Sequence, residues 1–169
     1  IMDADGMLGF PDFRAHERAF QLMEQVAGRA GRRAKRGNVI IQTRQPEHQV
    51  IQKLLHHNYE ALFKEEYAQR KELHFPPDSK LVELLLQHKD AAILEGSTGI
   101  FAEMLRALLG ERVMGPEFPI IPRVRNVYRK KILIRIEQGA SPSEIKKGIK
   151  SVIHKFQEDK VYRQVVIHI

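Results

Sequence analysis

Apolar residues recur at helical spacing through the first half of the chain. The spacing of Phe20, Met23 and Val26 predicts a helix that leads into a tract rich in glycine and arginine. A second helix is predicted from Pro46-Glu47 onward, and a third over residues 59–73. The sequence therefore predicts a first half that is mainly helical.

A short apolar run, Val39-Ile40-Ile41, separates the first two of these helices. Such a run after a glycine is typical of a strand buried on both faces of a parallel sheet, and a turn of buried helix gives the same pattern. Residues 1–14 are predicted to be a loop, with the remnant of a strand at Ile1-Met2-Asp3. Asp3 and Asp5 in this loop could face a nucleotide or a metal, or cap the local backbone.

The second half alternates between strand and helix patterns. Strands are predicted at 81–87, 127–136 and 165–169, and helices at 91–109 and from Ser141-Pro142 onward. Residues 113–116 are predicted to turn the chain, and the prolines that follow make the next stretch an edge or an irregular arm. These elements predict an α+β domain of the split β-α-β type, with two helices on one face of a mostly antiparallel sheet.

A pair of prolines marks the expected domain boundary. Pro76-Pro77 ends the third helix because the residue before a proline is disfavoured in helical conformation. We therefore predict a first domain at residues 1–57, a helical linker at 58–78 and a second domain at 79–169. On the linker helix, Glu66 and Arg70 have the spacing and order of an ion pair.

Composition narrows the class of protein. The 169 residues include 28 Lys+Arg and 21 Asp+Glu, which gives a formal charge of +7 and favours a polyanionic partner, with nucleic acid first. No apolar run approaches the ~20 residues that span a membrane, so no membrane contact is expected. The absence of cysteine from the sequence excludes thiolate metal sites and fits a cytoplasmic protein. No metal site is predicted in this chain, and we expect a monomer.

The glycine- and arginine-rich tract carries the candidate chemistry. It runs from Gln25 to Arg32, and Arg29 and Arg32 share one face if the helical turn continues. Two planar guanidinium groups suit a phosphate, and Gly28 and Gly31 allow close approach of the backbone. The alternative is a helix that ends in a basic tail capped by glycine.

The tract and its flanks resemble a known family. Gln-x-x-Gly-Arg-x-Gly-Arg resembles motif VI of superfamily two helicases. The flanking segments Asp3-Ala4-Asp5, Pro11-Asp12-Phe13-Arg14-Ala15 and Glu17-Arg18 resemble the primosomal replication-restart helicases of that superfamily, as do 37–43 and Pro46-Glu47-His48. The resemblance continues more weakly to the end of the chain.

The resemblance implies a function and a set of nucleotide contacts. It implies an ATP-dependent helicase with 3′-to-5′ polarity that recognises abandoned replication forks and assembles the primosome. Arg29 and Arg32 would be arginine fingers, Gln25 would position nucleotide or water, and Gly28, Gly31 and Asp5 would contact the nucleotide. Residues 1–57 would be the end of the second RecA-like helicase lobe, with motifs V and VI.

The resemblance also implies components outside this chain. ATP and Mg²⁺ would bind with a phosphate-cradling half that this chain lacks, so the chain alone should be inactive. The family's zinc would bind a cysteine-rich insertion outside the chain. The implied partners are branched and single-stranded DNA, single-stranded-DNA-binding protein and other primosome proteins, in the bacterial cytoplasm at the nucleoid.

A basic stretch in the second domain is the candidate DNA contact. It comprises Arg123, Arg125, Tyr128, Arg129, Lys130 and Lys131. Cations track phosphates, and an aromatic ring can stack on an unpaired base. The stretch resembles the family's Arg-Gly-x-Tyr-Arg-Trp segment, although Asn126 and Lys130 replace its Gly and Trp. The alternative is an edge hairpin that its charges keep soluble.

Two other classes of function remain open at this point. The second domain alone would fit a non-enzymatic module that binds nucleic acid, because one fold serves many functions. It would also fit a module that docks on a replisome protein, and a contiguous apolar surface patch would favour that hypothesis.

Overall fold

A computed structural model describes residues 3–30 and 38–169. The chain divides into two compact units, Ile1–Leu73 and His74–Ile169. The strand remnant predicted at Ile1-Met2 lies outside the described residues. Gly31 and Arg32 of the glycine- and arginine-rich tract also lie outside them.

The described part of the first unit contains four helices. They are α1 (Ala4–Leu8), α2 (Ala15–Ala30), α3 (Gln49–Leu55) and α4 (Tyr59–Glu72). Their buried side chains form one core: Ala4, Leu8, Ala19, Phe20, Met23, Val50, Ile51, Leu54 and Leu62. The predicted helices are confirmed, although α3 begins at Gln49, after His48, whose Nδ1 accepts a hydrogen bond from the Val50 amide at 3.2 Å.

Two predictions for this unit are wrong. Residues 4–8 form helix α1 rather than loop, and the side chain of Asp3 caps this helix by accepting a bond from the Gly6 amide at 2.9 Å. The run Val39-Ile40-Ile41 is not a strand, and Ile40 is 79% exposed. No strand occurs in residues 3–30 and 38–73, so the run has no ladder to join, and a RecA-like lobe is not shown.

Helix α4 buries a charged residue and leaves two aromatic residues exposed. Phe63 and Tyr67 stack on each other at the surface, whereas Glu66 is 8% exposed. The Glu66 carboxylate lies 2.8 Å from Nδ1 of His16 and 3.7 Å from Arg70, which confirms the predicted ion pair. Arg70 also donates to Glu17 at 2.9 Å. This network ties α4 to α2, because burial makes each charge depend on its partners.

The second unit contains five strands and two long helices. In chain order they are β1 (Ser79–His88), α5 (Ala91–Leu109), β2 (Val113–Glu117), β3 (Arg123–Val124), β4 (Val127–Glu137), α6 (Pro142–Phe156) and β5 (Val166–His168). The sheet order is β2-β4-β1-β5, with β3 paired to β4, and every pairing is antiparallel. The predicted split β-α-β arrangement with an antiparallel sheet is therefore confirmed.

One core joins the two helices to one face of the sheet. Leu84 and Leu86 of β1 pack in it with Ile132, Ile134 and Ile136 of β4. Phe101 of α5 and Phe156 of α6 meet there with ring centroids 4.8 Å apart. The helices thus cover the face that carries the even-numbered residues of β1 and β4, as the alternation of β4 predicted.

Residues 113–117 form an edge strand, so the predicted turn at this point is wrong. Val113 and Met114 pair with β4, and the register then shifts before Glu117 pairs with Lys131. Gly115 and Pro116 lie at this irregularity. Proline cannot donate to a ladder, which explains why the sequence here does not show a strand pattern and why β2 occupies an edge.

The buried network of the first unit predicts a loss of stability when it is broken. Arg70→Ala removes the partner of Glu17 and Glu66 and leaves a buried carboxylate under-satisfied. We expect the free energy of unfolding to fall by about 1–3 kcal/mol. Chemical denaturation measures the change.

Lys64→Ala on the same helix is the matched control. Lys64 pairs with Glu60 at 2.7 Å, and both side chains are exposed, so the change should stay within about 0.5 kcal/mol. Equal losses in the two variants would contradict a structural role for the buried network.

Candidate nucleic-acid interface

Strands β3 and β4 form a hairpin with a two-residue loop. Val124 pairs with Val127, and the loop residues Arg125 and Asn126 have φ values of 46° and 67°. Positive φ at both positions defines a type I′ turn, which favours Gly and Asn. The turn explains why Asn126 can occupy the family's Gly position. It also places the exposed side chain of Arg125 at the tip of the hairpin.

The pleat of β4 divides the predicted DNA-binding residues between two faces. Tyr128 and Lys130 share the face of Ile132, toward the helices, because alternate residues of a strand share a face. Arg129 and Lys131 lie on the opposite face, which we call the open face. It carries the odd-numbered residues of β1 (81–87) and β4 (129–135), all of them partly exposed or exposed.

The burial of Lys130 corrects the predicted DNA-binding set. Its side chain is buried, and its ammonium group donates to Glu95 at 2.6 Å and lies 4.6 Å from the centroid of the Phe118 ring. These contacts hold the apolar segment 118–122, which follows β2 and which we call the arm, against α5. The alternation that buries Ile132 buries Lys130 as well, so we remove Lys130 from the set.

Tyr128 and Arg123 contact each other at the base of the hairpin. The guanidinium carbon of Arg123 lies 4.8 Å from the centroid of the Tyr128 ring, and Arg123 also donates to Asn126. A cation held on an aromatic face stabilises the hairpin and competes with a stacked base for that face. Of this pair, the exposed Arg123 is therefore the better candidate for a phosphate contact.

The cations of the open face differ in their ion-pair and hydrogen-bond partners. Lys131 pairs with Glu117 at 3.1 Å. The Nε atoms of Arg129 and Arg135 are buried and have no hydrogen-bond partner in the described part of the chain. Arg135 was not among the predicted contacts, although the alternation of β4 placed it on the face of Lys131. A face-by-face sorting of the cations would have found it.

The candidate nucleotide contacts that can be described lie in the first unit. Gln25, Gly28 and Arg29 are exposed near the end of α2, and Gln25 and Arg29 are four residues apart, so they share a face. Gly31 and Arg32 lie outside the described residues.

Asp5 connects α1 to the segment that precedes α3. Its carboxylate accepts hydrogen bonds from the Thr43 hydroxyl at 2.5 Å and from the Arg44 amide at 2.8 Å. These two bonds lower the pKa of Asp5 below its ordinary value. The carboxylate therefore fixes the 43–44 backbone, and Asp5 lines a cleft there with Asp3 and Gln42.

Residues 3–30 and 38–169 contain neither a candidate metal site nor a candidate membrane-spanning helix. No group of three or more His, Asp or Glu side chains there could hold a metal ion. No helix in the same residues is long and apolar enough to cross a membrane.

Comparison with known proteins identifies the family. Residues 71–169 match the model of the primosomal protein N C-terminal domain. Replication restart protein PriA of Bacillus subtilis (strain 168) is 34% identical over 171 residues, which cover 100% of this chain and 21% of the relative.

Two further relatives carry the same name. PriA of Treponema pallidum (strain Nichols) is 41% identical over 137 residues, covering 80% of this chain and 21% of the relative. PriA of Synechocystis sp. is 38% identical over 137 residues, covering 80% of this chain and 16% of the relative. The chain thus spans about a fifth of the length of these relatives. The matches confirm the resemblance found in the sequence.

The hydrogen bonds to Asp5 predict its titration. Because they favour the charged carboxylate, their contribution to stability is full above the ordinary pKa of 3.8 and is lost as the pH falls through the lower folded value. Thr43→Val removes the hydroxyl hydrogen bond, which is the larger of the two causes, and should raise the Asp5 midpoint toward 3.8 in a carbon-detected NMR titration. Thr43→Ser keeps the hydroxyl and should leave the midpoint in place. Equal midpoints in the two variants would show that the hydroxyl does not stabilise the charge.

Proposed function

The chain belongs to the PriA family of replication restart proteins and contains the family's C-terminal domain, and we propose that it acts within an ATP-dependent DNA helicase. That protein translocates with 3′-to-5′ polarity, recognises stalled or abandoned forks in the bacterial cytoplasm and restarts replication by assembling the primosome. The second unit supplies a DNA-binding surface to it.

The observation that carries the DNA-binding proposal is the placement of cations on the hairpin and the open face. Arg125 is exposed at the tip and Arg123 on the neighbouring strand β3, and Arg129 and Lys131 continue along β4 on the open face. Each can neutralise a phosphate, and the turn and the ladder hold them in a fixed order along the hairpin. A hairpin that used charge only for solubility would not need its arginines in such an order.

We assign the nucleotide-facing role to the first unit. Arg29 and Arg32 would neutralise charge that develops on the γ-phosphate, and Gln25 would position nucleotide or water. Gly28, Gly31 and Asp5 would lie near the nucleotide in a RecA-like lobe that this chain completes only in part. ATP and Mg²⁺ would be held by the phosphate cradle of the longer protein, and zinc by its cysteine-rich insertion.

The exposed arm after β2 favours a second candidate function. Phe118, Ile120 and Ile121 are each more than half exposed in one five-residue segment, 118–122. Exposed apolar segments of this kind mark protein contacts. We propose that the arm docks a protein of the primosome, with single-stranded-DNA-binding protein among the candidates, while the hairpin contacts DNA.

The DNA-binding proposal predicts the salt dependence of binding. The variant Arg125→Ala/Arg129→Ala/Lys131→Ala should weaken binding to forks and to single strands. If each cation releases one counterion, the slope of log K against log salt should flatten by about 3 units for duplex and about 2 for single strands. Fluorescence anisotropy across a salt series measures both effects.

Helix α6 provides a control with the same change of charge. Lys146, Lys147 and Lys150 are exposed on it, and their replacement by alanine should alter the slope far less than the hairpin variant does. Equal flattening by the two triple variants would mean that binding is diffuse and would contradict a hairpin site.

The nucleotide-facing proposal predicts the rate of ATP hydrolysis by the chain alone and by Arg29 variants of the longer protein. The chain alone should hydrolyse no ATP above background. In the longer protein, Arg29→Ala should lower kcat by about 10³–10⁵-fold, as for other arginine fingers, and Arg29→Lys should not restore it, because lysine lacks the planar fork. Lys64→Ala should leave kcat unchanged. Retention of kcat in the Arg29 variants would remove Arg29 from the catalytic set.

A further inference from the structure

A cleft lies at the hairpin end of the sheet. Its lining includes Gln87 near the end of β1, Lys89 and Asp90 just after that strand, Val127 from the start of β4, and Gln164 and Val166 from β5 and the turn before it. None of these residues belongs to the predicted DNA-binding set. The cleft therefore extends the candidate interface beyond the hairpin itself.

The register of three adjacent strands places Arg129 directly beside two residues that line this cleft. Gln87 of β1 pairs with Arg129 of β4 on one side and with Val166 of β5 on the other. Residues paired directly across antiparallel strands point to the same face, so these three side chains form one row on the open face. The row places the Gln87 amide group between a guanidinium group and an apolar side chain.

Positive charge is concentrated at this end of the open face. The row of Arg129, Gln87 and Val166 contains no carboxylate, whereas the acidic residues Glu83 and Glu117 of the face lie opposite Leu133 and Lys131, farther from the hairpin. Arg129 has a buried Nε with no hydrogen-bond partner in the described residues. Asp90 brings one carboxylate to the cleft, where it caps α5 by accepting hydrogen bonds from the Ala92 and Ile93 amides. Because Arg129 and Lys89 supply two positive charges against this one negative charge, an anionic ligand is favoured at the hairpin end.

We propose that this cleft holds an unpaired nucleotide of a single strand of nucleic acid, a proposal that rests on the DNA-binding function above. Arg129 contacts the phosphate, and Lys89 is the second cation at the rim. The amide groups of Gln87 and Gln164 donate to and accept from the base edge, while Val127 and Val166 pack against the sugar and the base.

The chemistry of the lining favours an unpaired base over a duplex. A side-chain amide carries both donors and acceptors and so matches the Watson–Crick edge of a base, which is exposed only when the base is unpaired. In a duplex a glutamine amide reaches a base edge only by entering the major groove, which a concave cleft cannot do. A duplex would therefore present phosphates to the cations but leave the two amide groups without base contacts. The cleft should therefore distinguish single strands from duplex, which the hairpin cations cannot do.

The test removes neutral groups and leaves every charge in place. Gln87→Ala/Gln164→Ala should weaken binding of an oligothymidine single strand by about tenfold, since two net hydrogen bonds are lost. Because no cation is removed, the salt slope should not change. Duplex of the same length should bind as tightly as before. Gln138→Ala, an exposed glutamine just beyond the opposite end of β4, is the matched control and should have no effect.

The outcomes separate this inference from the function on which it rests. Weakened binding of single strands with an unchanged slope and unchanged duplex binding supports the cleft. If single strands bind the double variant normally, or if duplex weakens equally, the inference is overturned, even where the hairpin triple variant still loses binding. If the hairpin variant also binds normally, the DNA-binding function itself is wrong.

A single variant tests the cleft even if the double variant does not fold. Gln164 is exposed and lies outside the strands, so Gln164→Ala should keep the fold and still weaken single-strand binding by about threefold. Single-strand affinity equal to that of the unmodified chain would overturn the assignment of Gln164.

Discussion

Successive side chains of β4 point to opposite faces of the sheet, and the second unit depends on this alternation. Ile132, Ile134 and Ile136 enter the core with α5 and α6, and the residues between them must then face away from it. Arg129 and Lys131 reach the open face for this reason, and Lys130 is buried for the same one. A shift of one residue in register would exchange the two sets, so packing of the core and presentation of the cations are one constraint.

The hairpin extends this constraint to the tip of the sheet. The type I′ turn matches the twist of its strands, which fixes Arg125 beyond the end of β4 and brings Arg123 opposite Tyr128. The same end of the sheet gathers the amide side chain of Gln87 and the cleft beside it. Cations that can bind phosphate and neutral groups that can bind a base thus occupy neighbouring positions. The apolar arm at 118–122 lies close to them in sequence.

Much of the second unit could be predicted from the sequence because its elements are local and periodic. The strand β4 and both helices follow from residue spacing, and Ser141 caps α6 where the sequence predicted that helix to begin. Strand β2 was missed because Gly115 and Pro116 interrupt its pattern. The first unit was harder to predict, since burial of Glu66 depends on His16, about 50 residues away in the chain. Val39–Ile41 has a strand composition, but no strand in the described part of the first unit is present to pair with it.

We place bound nucleic acid at the hairpin end of the open face. Titration of the ¹⁵N-labelled chain with a short oligothymidine, followed by amide chemical shifts, locates the contact residue by residue. The largest shifts should fall on Gln87, Arg125, Arg129 and Val166. Shifts confined to α6, or to the arm at 118–122, would place the contact elsewhere and would contradict this placement.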